Sequence, residues 1–189
     1  MAEPLSWEDI KKEFDESLGY VRQDIRWLRE HNSGLNYTVA LLIGCGCEML
    51  AAASGDEKRR GETVFAELLP AGDWRLLKDR LYSALRDGLA HGFDTKHLYV
   101  DNQTIQIYIS WGDPRAIEIR HVDQGLGLLI GVQPLAAALC AKIDEFEKGL
   151  QQDAIARKLF RKARDHQRLA RLNGNEAAAW KRLAPAARH

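Results

Sequence analysis

The residues best suited to chemistry lie close together in one short stretch of this 189-residue chain, at positions 85–93. Arg86, Asp87 and His91 stand there among small and apolar residues. An arginine can bind phosphate oxygens through two parallel hydrogen bonds, and a histidine exchanges a proton near neutral pH. The stretch closes a helix with a regular apolar stripe, and Gly92 is suited to end that helix. It is therefore the first candidate for a functional site.

The interval between Arg86 and His91 is common in a chain with this many arginines and histidines. What distinguishes the pair is its place at the end of an amphipathic helix. Five residues of helix rise by about 7.5 Å and turn by about 140°, so the two side chains leave different faces. Either His91 lies at the frayed helix end, or a second chain completes the site. The same interval recurs at Arg26/His31 and Arg161/His166.

The run at 86–92 resembles the motif of the HEPN family (higher eukaryote and prokaryote nucleotide-binding domains). In that motif a histidine follows an arginine after four to six residues, and a polar residue often stands directly after the arginine. Asp87 occupies the polar position here. The resemblance implies a helical bundle over about 1–150 and a homodimer in which two motifs meet at a two-fold interface.

The resemblance also implies metal-independent cleavage of RNA, in which a ribose 2′-hydroxyl attacks the adjacent phosphate. His91 would be the general acid and base, and Arg86 would stabilise the charge on the phosphate. Asp87 would orient one of them. No metal and no cofactor is expected. Relatives of this kind act as toxins or in anti-phage defence, so an antitoxin or defence-system partner protein is also expected.

Position 93 departs from a pattern in part of the family. In toxins regulated by nucleotidyltransferase antitoxins, a tyrosine that receives the modification commonly stands two residues after the histidine. This chain has Phe93 there, and Tyr99 is too far along to replace it. That mode of regulation is not expected.

Two other interpretations of the motif remain open. The first is a non-catalytic HEPN-like module that binds RNA, a nucleotide or a partner protein. The second is a structural dimer in which His91 interacts with the helix dipole and Arg86 forms a salt bridge.

Glu48 is the lone charge in an apolar helix predicted at 36–54. A carboxylate among apolar residues must be paired or protonated. Arg86 is the predicted partner, so Glu48 joins the candidate catalytic residues by holding the guanidinium. The alternative is that Glu48 points into solvent.

Charge is divided unevenly along the chain, although the formal net charge is zero. Residues 1–150 carry an excess of acids, and residues 151–189 carry an excess of bases. The basic segment suits the phosphate backbone of RNA. Alternatively it is a solvated helix face with a narrow inner stripe of Ile155, Leu159, Ala163 and His166. The candidate RNA-binding residues are Arg157, Lys158, Arg161, Lys162, Arg164 and Arg168.

Apolar periodicity predicts a mainly α fold, with a small β-meander inserted after the motif helix of a HEPN-like bundle. The pattern changes to alternation at about 97–122, which predicts three antiparallel strands. Residues 125–131 are predicted as a flexible apolar link. Domains are expected at 1–150 and at 151–189, the latter a basic helix and tail. The predicted helices are 6–31, 36–54, 63–69, 73–92 and 134–150.

The first residues contain neither a basic nor an apolar segment, so no secretory signal is expected. The most apolar run, 37–53, contains Glu48 and is shorter than a membrane span, so no membrane partner is expected. Three cysteines do not suggest a disulfide framework. A cytoplasmic protein is the resulting expectation.

Overall fold

The structure, a computed structural model, describes residues 5–31, 36–92, 97–122, 125–168 and 178. Over these residues the fold is mainly helical and includes a four-stranded sheet. The predicted mainly α class is therefore confirmed. The predicted three-stranded antiparallel meander is wrong, because the sheet has a fourth strand and contains a parallel pair.

The N-terminal helices form one continuous helical segment. Helix α1 (Trp7–Phe14) passes through a π-helical turn (Asp15–Gly19) into α2 (Tyr20–Glu30). Ser6 caps it as predicted, because its N–H donates to Asp9 Oδ2 at 2.8 Å and the Asp9 N–H donates to Ser6 Oγ at 3.2 Å. The predicted apolar stripe is buried, and it consists of Ile10, Phe14, Leu18, Val21, Ile25 and Leu28.

Helix α3 (Asn36–Ala53) lies at the centre of the fold. It contacts α4 (Gly61–Leu68), α5 (Lys78–Gly92) and α6 (Val132–Gln152). By length and composition α3 is apolar enough to cross a membrane, but half of it is buried inside the protein. A core position accounts for that composition. A 3₁₀ turn (Asp73–Leu77) precedes α5, where the sequence predicted one continuous helix.

The sheet consists of β1 (Leu98–Val100), β2 (Gln103–Ser110), β3 (Ile117–Val122) and β4 (Gly125–Gly131). Its strand order is β1-β2-β4-β3. Strand β4 lies between β2 and β3, parallel to β2 and antiparallel to β3. Leu128, in the middle of β4, is buried. The last of the four described strands along the chain is therefore a central strand of the sheet.

The prediction of a flexible link at 125–131 failed because glycine has a different role there. A Cβ on Gly127 would lie 2.8 Å from Tyr108 Cε2, and a Cβ on Gly131 would overlap the backbone oxygen of Arg115. Neither position has room for a side chain, so the glycines allow neighbouring backbone and rings to approach closely. The sheet consequently extends beyond its predicted boundary.

The connection from β2 to β3 is held by Asp113, a buried carboxylate. The Arg115 N–H donates to Asp113 Oδ1 at 2.9 Å, and the Arg120 guanidinium pairs with Oδ2. The backbone hydrogen bond from Arg115 and the charges of both arginines lower the pKa of Asp113. The carboxylate therefore stays ionised and fixes the start of β3.

Helix α7 (Ala154–Arg168) packs against the rest of the protein through Phe160. The ring of Phe160 lies 6.5 Å from that of Phe14 and 6.1 Å from that of Phe146, in tilted arrangements. Tilted aromatic pairs at such distances are favourable beyond the area they bury. The described part of the basic segment thus shares a core with α1 and α6.

The inner stripe predicted for α7 is wrong. Ile155 and Leu159 are 69% and 42% exposed, whereas Phe160 is fully buried. Positions 155 and 159 lie about 140° and 100° from position 160 around a helix, so burying one side turns the other outwards. Phenylalanine is the larger apolar side chain and decides which side faces the core.

Candidate active site on helix α5

Helix α5 carries the candidate site on its edge beside α3. Leu81, Leu85 and Leu89 are buried and anchor α5 in the core. Arg86 packs across Gly44 of α3, where an added Cβ would lie 3.1 Å from Arg86 Cγ. Because glycine has no side chain, α5 approaches α3 closely at Arg86.

Arg86 and Asp87 form an ion pair at the surface. Arg86 Nη1 donates to Asp87 Oδ1 at 2.9 Å, and the Ser83 hydroxyl donates to Asp87 Oδ2 at 2.9 Å. The hydrogen bond to Asp87 is the main cause that raises the pKa of Arg86, so the guanidinium stays charged. The Arg86 side chain is 41% exposed, and a guanidinium has five N–H donors. It can therefore bind an anionic group while Asp87 holds its orientation.

Glu48 lies one turn further along α3, beside Tyr82 of α5. The Tyr82 hydroxyl is 3.2 Å from the Gly44 carbonyl oxygen and also hydrogen-bonds with Glu48. One O–H donates to only one acceptor at a time, so the two acceptors share it. Burial raises the pKa of Tyr82, and the Glu48 carboxylate raises it further. The phenol therefore stays protonated and acts as a donor.

The predicted pairing of Glu48 with Arg86 takes a different form in the structure. The two residues belong to one cluster, since the charge of Glu48 contributes to the raised pKa of Arg86. Arg86 forms its ion pair with Asp87 instead. Helices α3 and α5 run in opposite directions, so Arg86 faces Gly44 and the next turn of α3 brings Glu48 to Tyr82.

Three residues that shape this cluster were not predicted from the sequence, namely Gly44, Gly61 and Tyr82. Tyr82 precedes Arg86 by four residues and shares its helical face, so a signal was present. The glycines carried no such signal, because their role depends on what approaches them. At Gly61, the first residue of α4, a Cβ would overlap the Tyr82 hydroxyl and lie 2.7 Å from Glu48 Cδ.

We expect Gly61→Ala to lower the free energy of unfolding by about 1–3 kcal/mol, because the added methyl group overfills a packed site. Tyr82 is buried, and its ring centroid lies 5.6 Å from that of Phe65, so the ring has little room to move aside. Urea unfolding at neutral pH measures the loss.

Gly149→Ala is the matched control. Gly149 also lies in a helix, α6, but a Cβ there would meet no heavy atom within 4 Å. Alanine is favoured over glycine inside a helix by about 0.5–1 kcal/mol, so this variant should be slightly more stable than wild type. If Gly61→Ala behaves like the control, the contact of α4 with Glu48 and Tyr82 is loose enough to admit a methyl group, which would contradict the close packing at Gly61.

His91 is placed by its backbone. Helix α5 continues to Gly92, so His91 lies in the last turn, five positions after Arg86. The helix separates the two positions by about 7.5 Å along its axis and about 140° around it. The side chain of His91 and the whole of Phe93 lie outside the described part of the structure.

Two of the candidate RNA-binding arginines hold α7 on the protein. Arg157 donates to the backbone oxygens of Leu5 and Leu150. Arg161 Nε pairs with Glu13 Oε1 at 2.8 Å. Their guanidinium groups therefore have a structural role, which the sequence alone did not indicate.

The other four candidate RNA-binding residues of α7 are Lys158, Lys162, Arg164 and Arg168. Lys158 and Lys162 are exposed, and Arg164 is half-buried. The side chain of Arg168 lies outside the described residues. Among the described residues of α7, the two lysines are therefore the cations best placed to meet a phosphate backbone.

The described part of the site combines an exposed, oriented cation with a carboxylate and a phenol that stays protonated. Such a set can bind and orient an oxyanion, and it lies just before a histidine in the same helix. Within the described residues, no group of three or more His, Cys, Asp or Glu side chains is arranged to hold a metal ion. No protein-family model, curated protein or solved structure matches this chain.

Proposed function

We propose that this protein is a metal-independent endoribonuclease with a HEPN-like helical bundle, of the type found among toxins and anti-phage defence proteins. The observation that carries the proposal is the exposed guanidinium of Arg86, held at 2.9 Å by Asp87 in the helix that also contains His91. Cleavage of RNA by its own 2′-hydroxyl needs a fixed positive charge and a proton-transfer group at one place. A toxin of this type would be restrained by an antitoxin or another defence-system protein.

In the proposed reaction, the ribose 2′-oxygen attacks the adjacent phosphorus and loses its proton to a histidine acting as base. The bond between phosphorus and the 5′-oxygen breaks, and that oxygen takes a proton from a histidine acting as acid. The products are a 2′,3′-cyclic phosphate and a 5′-hydroxyl end. Arg86 binds the non-bridging oxygens, where negative charge accumulates in the transition state. No water and no metal enters this step.

Two copies of the chain would supply the two histidine roles. Positions 86 and 91 lie about 140° apart around α5, so one chain does not present both from one face. A two-fold axis beside α5 would bring Arg86 of one copy towards His91 of its partner. Such an interface is isologous, because each copy contributes the same surface.

The surface of α3 beside Arg86 suits this pairing. Cys45 is exposed, and Leu41 and Met49 are half-buried. Their spacing of four residues places them in one stripe along the helix. A second copy docked there would cover apolar side chains next to the candidate site.

Incubation of single-stranded RNA with the protein in EDTA tests the proposal. We expect the wild type to release fragments that end in 2′,3′-cyclic phosphate, and His91→Ala to release none. His121→Ala is the control, because His121 is an exposed histidine in β3, away from α5. Cleavage that persists in His91→Ala, or no cleavage by the wild type, would contradict the proposal.

The second candidate function is a non-catalytic RNA-binding module. The exposure of Lys158 and Lys162 on one helix favours it. In that case the wild type would leave RNA intact but bind it with an affinity that falls steeply with salt. Binding would survive His91→Ala and weaken when both lysines are replaced by alanine.

A further inference from the structure

A cavity of about 330 Å³ opens next to Glu48, and Arg86 is not among the residues that line it. It lies between the C-terminal half of α3, the loop at 54–60 and helix α7. Its size is at the lower end of the range for small-ligand sites in proteins. Its lining includes Glu48, Ala52, Gly55, Arg60, Leu159 and Lys162.

The cavity has an apolar part, formed by alanines and Leu159, that is partly open to solvent. Ala52 of α3 and Leu159 of α7 are exposed although both are apolar, and both line the cavity. Gly55 has a φ of 71°, and a Cβ there would lie 2.9 Å from Leu159 Cβ, so the loop closes tightly on α7. Apolar walls that are not covered by the fold suit the flat faces of an aromatic ring.

The polar groups of the cavity have distinct partners. Arg59 is paired with Glu67 at 2.9 Å, and Asp56 accepts a hydrogen bond from the Lys58 N–H at 2.9 Å. These loop groups are therefore occupied by contacts within the fold. Glu57, a further carboxylate of the lining, is exposed at the loop.

Among the other charged groups that line the cavity, Glu48, Arg60 and Lys162 are suited to recognise a ligand. The Glu48 carboxylate accepts hydrogen bonds only, and its two oxygens offer about four acceptor positions, one of which shares the Tyr82 O–H with the Gly44 carbonyl oxygen. Arg60 and Lys162 are exposed cations suited to a phosphate. A ligand with a flat ring, a donor edge and a phosphate matches all three features.

We infer that this cavity is a nucleobase subsite for single-stranded RNA and that Glu48 selects guanine. Guanine carries two neighbouring N–H donors, on N1 and N2, which can bind both oxygens of one carboxylate. Uracil presents carbonyl oxygens on either side of its single N–H, and these oxygens repel a carboxylate. Tyr82 is a positioning residue, because its hydroxyl orients the Glu48 carboxylate.

The subsite rests on the proposed function, because it would select the base that lies next to the phosphate at Arg86. Along α3, Glu48 lies four residues from Gly44, which is about 6 Å of helix, and Arg86 packs at Gly44. A guanine held at Glu48 therefore places a neighbouring phosphate of the same strand within reach of Arg86. Arg60 and Lys162 would bind a phosphate on the other side of the base.

Binding of short 2′-O-methyl RNA tests the subsite, because strands without a 2′-hydroxyl are bound but not cleaved. We compare a fluorescent uridine oligomer that contains one guanosine with the same oligomer containing uridine only. Wild type should bind the guanosine strand about tenfold more tightly or better, as expected for a bidentate base contact. Fluorescence anisotropy gives both dissociation constants.

Two variants test the recognition of guanine, and two others test the contact with phosphate. Glu48→Gln keeps the size of the side chain but replaces one acceptor by a donor, so the preference for guanosine should disappear. Ala52→Trp fills the cavity from an exposed position and should also remove the preference. Lys162→Ala should weaken the binding of both strands by the same factor. Lys148→Ala, at an exposed position of α6, should leave the binding of both strands unchanged. Thermal unfolding checks that each variant is folded.

The outcomes distinguish the subsite from the proposed reaction. Equal affinity of wild type for the two strands, or a preference that survives in both Glu48→Gln and Ala52→Trp, would overturn the subsite. A guanosine preference without cleavage of the matching ribose strand would support the subsite and reject the nuclease. Cleavage with no base preference would support the nuclease and reject the subsite.

Discussion

Arg86→Ala is expected to lower kcat/KM for RNA cleavage by about 10²–10³-fold, as removal of one donor to a developing oxyanion does in other enzymes. The loss should lie mainly in kcat, because the extra charge on the phosphate exists only in the transition state. Arg86 is 41% exposed, so its truncation leaves the core intact. Single-turnover cleavage in EDTA measures the rate, and urea unfolding measures the stability.

Variants at neighbouring positions define what Arg86 contributes. Arg86→Lys keeps the charge but loses the planar fork of donors, so its rate should fall between wild type and Arg86→Ala. Asp87→Asn removes the charge that holds the guanidinium at 2.9 Å and should cost less than loss of Arg86 itself. Arg80→Ala changes an exposed arginine in the same helix and should cleave like wild type. If Arg86→Ala cleaves as fast as Arg80→Ala, Arg86 has no catalytic role.

Phe160→Ala is expected to lower the free energy of unfolding by about 3–5 kcal/mol, the usual loss for a buried phenylalanine. Phe160 is fully buried, and its ring contacts those of Phe14 and Phe146. Truncation leaves a cavity among α1, α6 and α7, which the surrounding structure fills only in part. Chemical denaturation of the full chain measures the loss.

Ile155→Ala is the control for that result, because Ile155 lies in the same helix and is 69% exposed. Its effect should stay within about 0.5 kcal/mol, as for most surface substitutions. Similar losses for the two variants would mean that α7 does not dock through Phe160. The expected difference would show that the basic helix is part of the folded unit, with Lys158 and Lys162 on its outer side.

Local patterns in the sequence correctly predicted most helices and the N-terminal cap. The spacing of three and four residues from Ile10 to Leu28 appears as one buried stripe, because helix periodicity and amphipathicity are properties of neighbouring residues. The Ser6 cap was predictable for the same reason, since Asp9 is only three residues away. The break from helix to strand after α5 was visible as a change of period.

The sheet was predicted less well, because strand pairing joins residues far apart in sequence. The run at 125–131 reads as flexible from its glycines, yet Gly127 and Gly131 are required where Tyr108 and the backbone of Arg115 approach. Similarly, the stripe on α7 was assigned to Ile155 and Leu159, and only packing against Phe14 and Phe146 shows that Phe160 faces inwards.

By itself the sequence determined which residues are candidates for chemistry, namely Arg86, Asp87, His91 and Glu48, and that the first three lie in one helix end. Residue types and helical spacing are local, so they can be read from the chain. Only the tertiary structure decided how α3 and α5 align. That alignment sets Glu48 beside Tyr82 and Gly61 and Arg86 beside Gly44, because contacts between helices depend on register and close approach. It also leaves a cavity beside Glu48.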